Sequence, residues 1–239
     1  MAAFLAGAVA LSAGEPTPSP GETRSADSPL PHLADQGTFL VSAAGRTIGT
    51  EKFEIRSSSE KVEAQAEIHL QVQQDGKTIN LKTLPRLVLD PQLRPLTYTW
   101  SQKGPQSSQL EVDFRPSPAT TRYKTVSGEE DNRDFDLPKD VIVLDDNVVH
   151  HYQLVISRYR LTAGGKQTFQ AFIPQEALPG VLNVEEVGTE PTTLEGSTVK
   201  LRHLVVTTEL ARIHLWTDDQ HRLQRMSIPE AQLEAIRKK

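Results

Sequence analysis

From Gly37 onward the chain has a period of two, which leaves few choices of fold. In EKVEAQAEIHLQVQQ, Val62, Ala64, Ala66, Ile68, Leu70 and Val72 alternate with Glu63, Gln65, Glu67, His69 and Gln71. Side chains of a strand point alternately to its two faces, so this spacing predicts one dry face and one wet face. QDGKT follows with Gly76, a hairpin signal, and INLKTLPRLVL continues the meander on its far side. Upstream, TFLVSAAGRTIGTEKFEIR predicts a hairpin turning at Ala44, Gly45 and Arg46. Downstream, LTYTW, SQLEVDF, TTRYKTV, QTFQAFIP, GVLNVEEV, TVKLRHLVVTTE and ARIHLW are each bounded by Gly, Pro, Asp or Ser. About ten or eleven strands joined by short turns predict an antiparallel sheet, because parallel strands need long crossovers. With 37% hydrophobic residues, such a sheet lacks the material for two apolar faces. It is expected to curl into a half-barrel around a filler. The predicted class is therefore mainly β: a curved antiparallel sheet, one central amphipathic helix and a short C-terminal helix.

The filler is expected to be LDDNVVHHYQLVISRYR. At 100° per residue, Val148, Val149, Tyr152, Val155, Ile156 and Tyr159 share an arc of about 120°, while Gln153, Ser157, Arg158 and Arg160 lie outside it. The helix is predicted over 145–161. Asp145 is the expected N-cap, Asp146 favours the positive end of the dipole, and Leu144 with Val149 would form a hydrophobic staple. Gly164 and Gly165 suit a left-handed stop. Two acids, Asn147 and the pair His150–His151 also invite a metal reading. Adjacent residues, however, point 100° apart on a helix and to opposite faces on a strand. Pairs at i, i+4 would offer two ligands each, so capping acids and partly exposed imidazoles are the expectation.

Residues 1–14, an apolar run of small residues and Leu, read as a secretory leader too short to span a bilayer. Ser12, Ala13 and Gly14 offer a cleavage point before Glu15. Residues 15–36 hold five prolines and read as an extended linker, leaving residues 37–239 as a single β-rich domain. A net charge of -5 with no basic cluster beyond the terminal RKK gives no footprint for nucleic acid. The absence of cysteine removes disulfides, thiolate metal sites and thiol nucleophiles.

The acidic stretch SGEEDNRDFDLPKD (127–140) lacks the spacing and central glycine of a calcium loop and is expected to be a solvated connection. His203 shares a face with Val199, Leu201 and Val205. It reads as a core histidine bonded to backbone or as a polar group lining a cavity, whereas His214 falls on the surface side with Arg212 and Trp216. No nucleophile elbow, phosphate loop, dinucleotide fingerprint or zinc-protease motif occurs. Tyr98 and Trp100 sit two apart on one strand face, and Tyr152 and Tyr159 lie on the apolar face of the helix, so these four are expected to line a seam between sheet and helix.

GTFLVSAAGRTIGTEKFEI, LDDNVVHHY, GGKQTFQAFIPQ and LWTDDQHRLQRMSIP together resemble exported bacterial proteins of domain-of-unknown-function type, over most of residues 37–237. Such families are similar to curved antiparallel half-barrels, including periplasmic lipoprotein carriers, whose concave apolar face holds acyl chains. The resemblance implies export to the periplasm or beyond, and binding rather than catalysis. A lipid-like ligand or a partner's apolar segment would meet Tyr98, Trp100, Tyr152, Tyr159 and His203, with no catalytic residue, metal or cofactor. A second reading is a structural or interaction module whose helix permanently fills the sheet. A metal-dependent hydrolase is a distant third.

Overall fold

The computed structural model describes residues 33–238, apart from residues 75, 105–106, 195 and 210. The leader and nearly all of the linker lie outside the described residues. The folded part opens slightly before Gly37, with Leu33 already buried.

The elements are β1 (Asp35–Ala43), β2 (Arg46–Ser57), β3 (Val62–Gln74), β4 (Lys77–Thr83), β5 (Arg86–Leu89), β6 (Pro95–Lys103), β7 (Ser108–Asp113), β8 (Ala119–Thr125), β9 (Glu130–Phe135), β10 (Ile142–Val143), α1 (His151–Arg158), β11 (Gln167–Ile173), β12 (Leu178–Leu194), β13 (Ser197–Thr207), β14 (Arg212–Thr217), β15 (Leu223–Ile228) and β16 (Leu233–Arg237). Among the described residues all strands belong to one 16-stranded sheet, so the expected ten or eleven is corrected upward. Neighbours pair antiparallel except β10 with β11. The first strand pairs with the last, Val41 facing Ala235. The path through the sheet ends at β9 and β10, and there Phe135 of β9 packs on Phe172 of β11 with ring centroids 4.9 Å apart. Among the described residues no helix is long and apolar enough to cross a membrane.

The alternation in β3 holds: Val62, Ala64, Ala66, Ile68, Leu70 and Val72 are all buried. Large residues of β2 face small ones of β3, Phe53 opposite Ala66 and Ile55 opposite Ala64, so the concave face is filled without collisions. Beside a β1 bulge between Val41 and Ser42, β2 approaches β3 so closely that a Cβ on Gly49 would lie 1.9 Å from the His69 carbonyl oxygen. Backbone cannot swing aside as a side-chain tip can. Gly49→Ala is expected to cost about 1–3 kcal/mol or more through overpacking, as read from urea denaturation.

Three local expectations are corrected. The C-terminal helix is a 3-10 turn, Pro229–Ala231, ended by Gln232 with φ 51°. LEAIR then pairs with β1 and β15, because tertiary pairing outweighs helix propensity. The acidic stretch is not a loop throughout, since Glu130–Phe135 forms β9 against β8 with Lys124 bonding Glu130. The central helix starts at His151, not 145, because Asn147 has φ 60° and breaks a right-handed start. The Asp145 cap and the Leu144–Val149 staple fail with it. Gly164 and Gly165 are left-handed as expected, but in the turn beyond Arg158.

Helix α1 lies inside the curved sheet. Residues His151–Ile156 are all buried, so both sides of the expected apolar arc face protein.

Candidate functional site

The segment entering α1 follows β10 along β11, the Leu144 N–H donating to the Phe172 carbonyl at 3.1 Å. After the Asn147 turn, the free amides at the helix start need acceptors. Glu51 of β2 supplies them. Its fully buried carboxylate accepts from the Val149 N–H and the His150 N–H, both at 2.7 Å, and faces His150 Nδ1 at 2.9 Å. Opposite a carboxylate oxygen, Nδ1 carries the hydrogen, and Nε2 is buried with no hydrogen-bonding partner among the described residues. The cap therefore comes from a single residue about a hundred positions upstream. Its signal was parity: Glu51 shares the inward face with Phe53 and Ile55.

Asp145, displaced from capping, is buried between Tyr98 and Gln175. It accepts from the Tyr98 hydroxyl and, at 3.1 Å, from the Gln175 N–H. Burial pushes its carboxyl up to about 7. Asp146 is pushed up to about 8 by burial and by the neighbouring charges of Asp145 and Glu176. His150 and His151 are fully buried, which corrects the expectation of partly exposed imidazoles, because the sheet surrounds α1. Their rings meet edge to face at 4.8 Å, and the Tyr98 ring meets His151 at 5.7 Å. Burial, with His150 alongside, holds His151 well below the usual imidazole range, so the ring is neutral.

The two Asp carboxyls bind protons more tightly in the folded than in the unfolded chain. Their stabilising contribution is full below the ordinary aspartate value of 3.8 and is lost as pH rises through about 7 to 8. His151 acts oppositely, its contribution being lost as pH falls below 6.5. Thermal unfolding of Asp146→Asn from pH 5 to 9 is expected to show a smaller decline on the alkaline side than the parent chain. An unchanged slope would show that Asp146 keeps its ordinary affinity for protons.

Gln153, expected on a polar face, is buried and clamps α1 to the turn before β15. Its Nε2–H donates to the His221 carbonyl at 2.8 Å, and its Oε1 accepts from the Leu223 N–H at 2.7 Å. At the other end, the Tyr159 hydroxyl donates to the Gly165 carbonyl at 2.7 Å and accepts from the Glu186 N–H at 3.2 Å. Arg158 donates to the Leu93 and Asp140 carbonyls.

Four of the five expected ligand-binding residues fall in one core cluster and the fifth lies outside it. Tyr98, Trp100, Tyr152 and Tyr159 are all buried in the main core, Tyr98 and Tyr159 committed to the bonds above. His203 lies apart, on the outer side of β13, in neither expected role. It bonds the His214 imidazole at 2.9 Å and stacks on Trp216 at 4.7 Å. Trp216 donates to Glu190 at 2.6 Å and carries the Arg225 guanidinium on its face at 4.6 Å. His214, read as plain surface, belongs to this stack.

Between α1 and the sheet remains a cavity of ≈ 50 Å³, with Val41, Leu70, Met226 and Ile228 on the sheet side and Tyr152 on the helix side. Asp145, Asp146 and Asn147 line it too. Larger depressions exist on the outer face. They are open, and charged side chains such as Lys52, Glu54, Glu67 and Arg86 line the one beside β5. Among the described residues, no group of three or more His, Cys, Asp or Glu side chains is arranged to hold a metal ion.

The family model described as "Protein of unknown function (DUF3108)" matches residues 38–230. The chain belongs to that family. This meets the expectation of an uncharacterised, domain-of-unknown-function type. The chain is also similar in fold to a solved beta-barrel-like protein of domain of unknown function DUF1849 from Brucella abortus. That likeness has a TM-score of 0.59 at 10% identity and covers 88% of this chain and 98% of the other. A DUF1089 family protein from Pseudomonas aeruginosa gives 0.47 at 12% identity, over 76% and 90% of the two chains. No curated protein sequence matches the chain. The first of these likenesses supports a barrel-like fold and carries no activity with it.

Proposed function

We propose that the protein is an exported, non-catalytic binding module in which α1 is a permanent part of the core and recognition takes place at the small cavity beside its N-terminal end. The observation that carries this reading is the volume left inside the sheet. A cavity of ≈ 50 Å³ holds roughly three or four waters or one short side group, against about 300 Å³ or more for ordinary ligand pockets. An acyl chain, as in the carriers that the sequence resembles, would need α1 to leave. Glu51, Gln153, Arg158 and Tyr159 hold it at both ends and in the middle. The apolar leader MAAFLAGAVALSAG supports export.

Native mass spectrometry and solvent extraction of protein purified from its own host test the reading. The expected result is protein without acyl lipid, beginning near Glu15. A stoichiometric co-purifying lipid would overturn the closed interior, and intact Met1 on soluble cytoplasmic protein would overturn export.

A further inference from the structure

We propose that His203 and His214, on the outer side of the sheet and apart from the cavity beside α1, form a binding site for a divalent copper ion. His203 faces Trp216 across the β13–β14 ladder, and His214 stands two residues before Trp216. The two imidazoles therefore lie on a diagonal of one sheet face, within reach of each other. His203 Nε2 and His214 Nδ1 are 2.9 Å apart. Two bonds of about 2.0–2.1 Å to imidazole nitrogen, set at a right angle, hold the nitrogens about 2.9 Å apart, whereas a tetrahedral angle needs about 3.3 Å. The observed separation suits neighbouring positions of a tetragonal ion. Tetragonal nitrogen and oxygen surroundings favour Cu(II), which also stands highest in affinity among the divalent first-row metals. Among the described residues no group of three or more acids or imidazoles converges on an ion, so two protein nitrogens hold the copper and water completes its plane.

The second observation is the other edge of His203, a residue only 8% exposed. A hydrogen bond between the two rings accounts for its Nε2 but leaves its Nδ1 buried with no hydrogen-bonding partner among the described residues. That atom lies 3.4 Å from Glu190 Oε1, near enough to feel the carboxylate and too far to bond it. With its hydrogen on Nδ1, His203 turns an N–H toward a carboxylate and keeps the Nε2 lone pair for a metal. This is the arrangement that orients ligating imidazoles and makes them more basic. Metal binding then needs His214 to carry its hydrogen on Nε2 in place of Nδ1, with no net release of a proton. Trp216 fixes the parts. Its Nε1–H donates to Glu190 at 2.6 Å, and its ring stacks on His203 at 4.7 Å and on His214 at 5.8 Å. Arg225 lies over the same ring, but Glu234 answers its charge at 2.6 Å. His214 is half-buried, so an ion reaches the pair from the outer face.

The test is titration of the untagged full chain with copper(II) sulfate at pH 7.5, with citrate as a competing chelator that brings no nitrogen. Tryptophan fluorescence and electron paramagnetic resonance are the readouts. One copper per chain is expected to quench Trp216 and to give an axial spectrum with the hyperfine pattern of two nitrogens. His203→Gln and His214→Gln should each weaken copper at least ten-fold. His214 is the less buried of the two, so His214→Gln is expected to keep the parent circular dichroism and to decide the matter if His203→Gln fails to fold. Glu190→Gln should weaken copper several-fold while the two-nitrogen pattern persists, because Glu190 positions a ligand and is not one. His69→Gln, at the exposed pair with Glu67, should change nothing. Zinc should bind at least ten-fold more weakly than copper. Copper held as tightly by His214→Gln as by the parent, or a spectrum without two nitrogens, would overturn the site. Zinc held as tightly as copper would overturn the tetragonal geometry and with it the assignment to copper.

Discussion

Replacing Glu51 with Ala is expected to destabilise the fold by about 3–5 kcal/mol, the cost typical of stripping one partner from a buried polar cluster. The change leaves the amides of Val149 and His150 and the Nδ1–H of His150 without acceptors in a region closed to water. It also removes the group that fixes where α1 begins, since His150 makes no side-chain cap of its own. Glu51→Gln should lie between parent and Ala. One oxygen remains as acceptor, while the new amide N–H2 confronts a backbone N–H. Urea denaturation followed by circular dichroism measures both. A loss under 1 kcal/mol for Glu51→Ala would mean that water reaches the helix start and that the interior is not sealed.

The second large effect is expected at Phe172. Its ring is fully buried and touches Phe114 at 6.3 Å and Phe135 at 4.9 Å. Phe172→Ala should cost about 3–5 kcal/mol, the transfer of the ring plus the cavity it leaves. The loss should also be local in character, because Phe135 and Phe172 bring the end strand β9 against β11 without a hydrogen-bonded ladder between them. Amide exchange in β9 is expected to accelerate far more than in β3. Uniform acceleration in all strands would contradict a seam held by side chains.

Much of the fold was legible because burial leaves a periodic trace. The two-fold alternation of Val62 through Val72 placed β3 and the direction of its faces, and Gly45 and Gly76 marked the hairpins beside it. β9 left no such trace: Glu130, Asp131, Asn132, Arg133 and Asp134 are all exposed on an end strand, so neither face carries an apolar signal. β16 was obscured for the opposite reason, because LEAIR satisfies helix propensity and becomes a strand only when β1 and β15 flank it. The apolar residues of α1 were correctly grouped, but the wheel assumed one solvent side, and inside a curled sheet that side is buried too from His151 to Ile156, with Ser157 and Arg158 half-buried. That difference turned Gln153, His150 and His151 from surface groups into buried ones. The cap was invisible to local reasoning, since Asp145 has the right chemistry at the wrong place once Asn147 turns left-handed. The acceptor that replaces it lies on β2, and only the inward parity of Glu51 pointed to it.

The account rests on α1 being a fixed part of the core and not a removable lid. Native-state hydrogen exchange of the Leu154, Val155 and Ile156 amides tests this most directly. The prediction is exchange only through global unfolding, with the same opening free energy as the inward residues of β3 and the same sensitivity to denaturant. Exchange through a separate, low-energy opening that leaves the β3 amides protected would show that α1 leaves the sheet while the barrel stays folded, and would contradict the account.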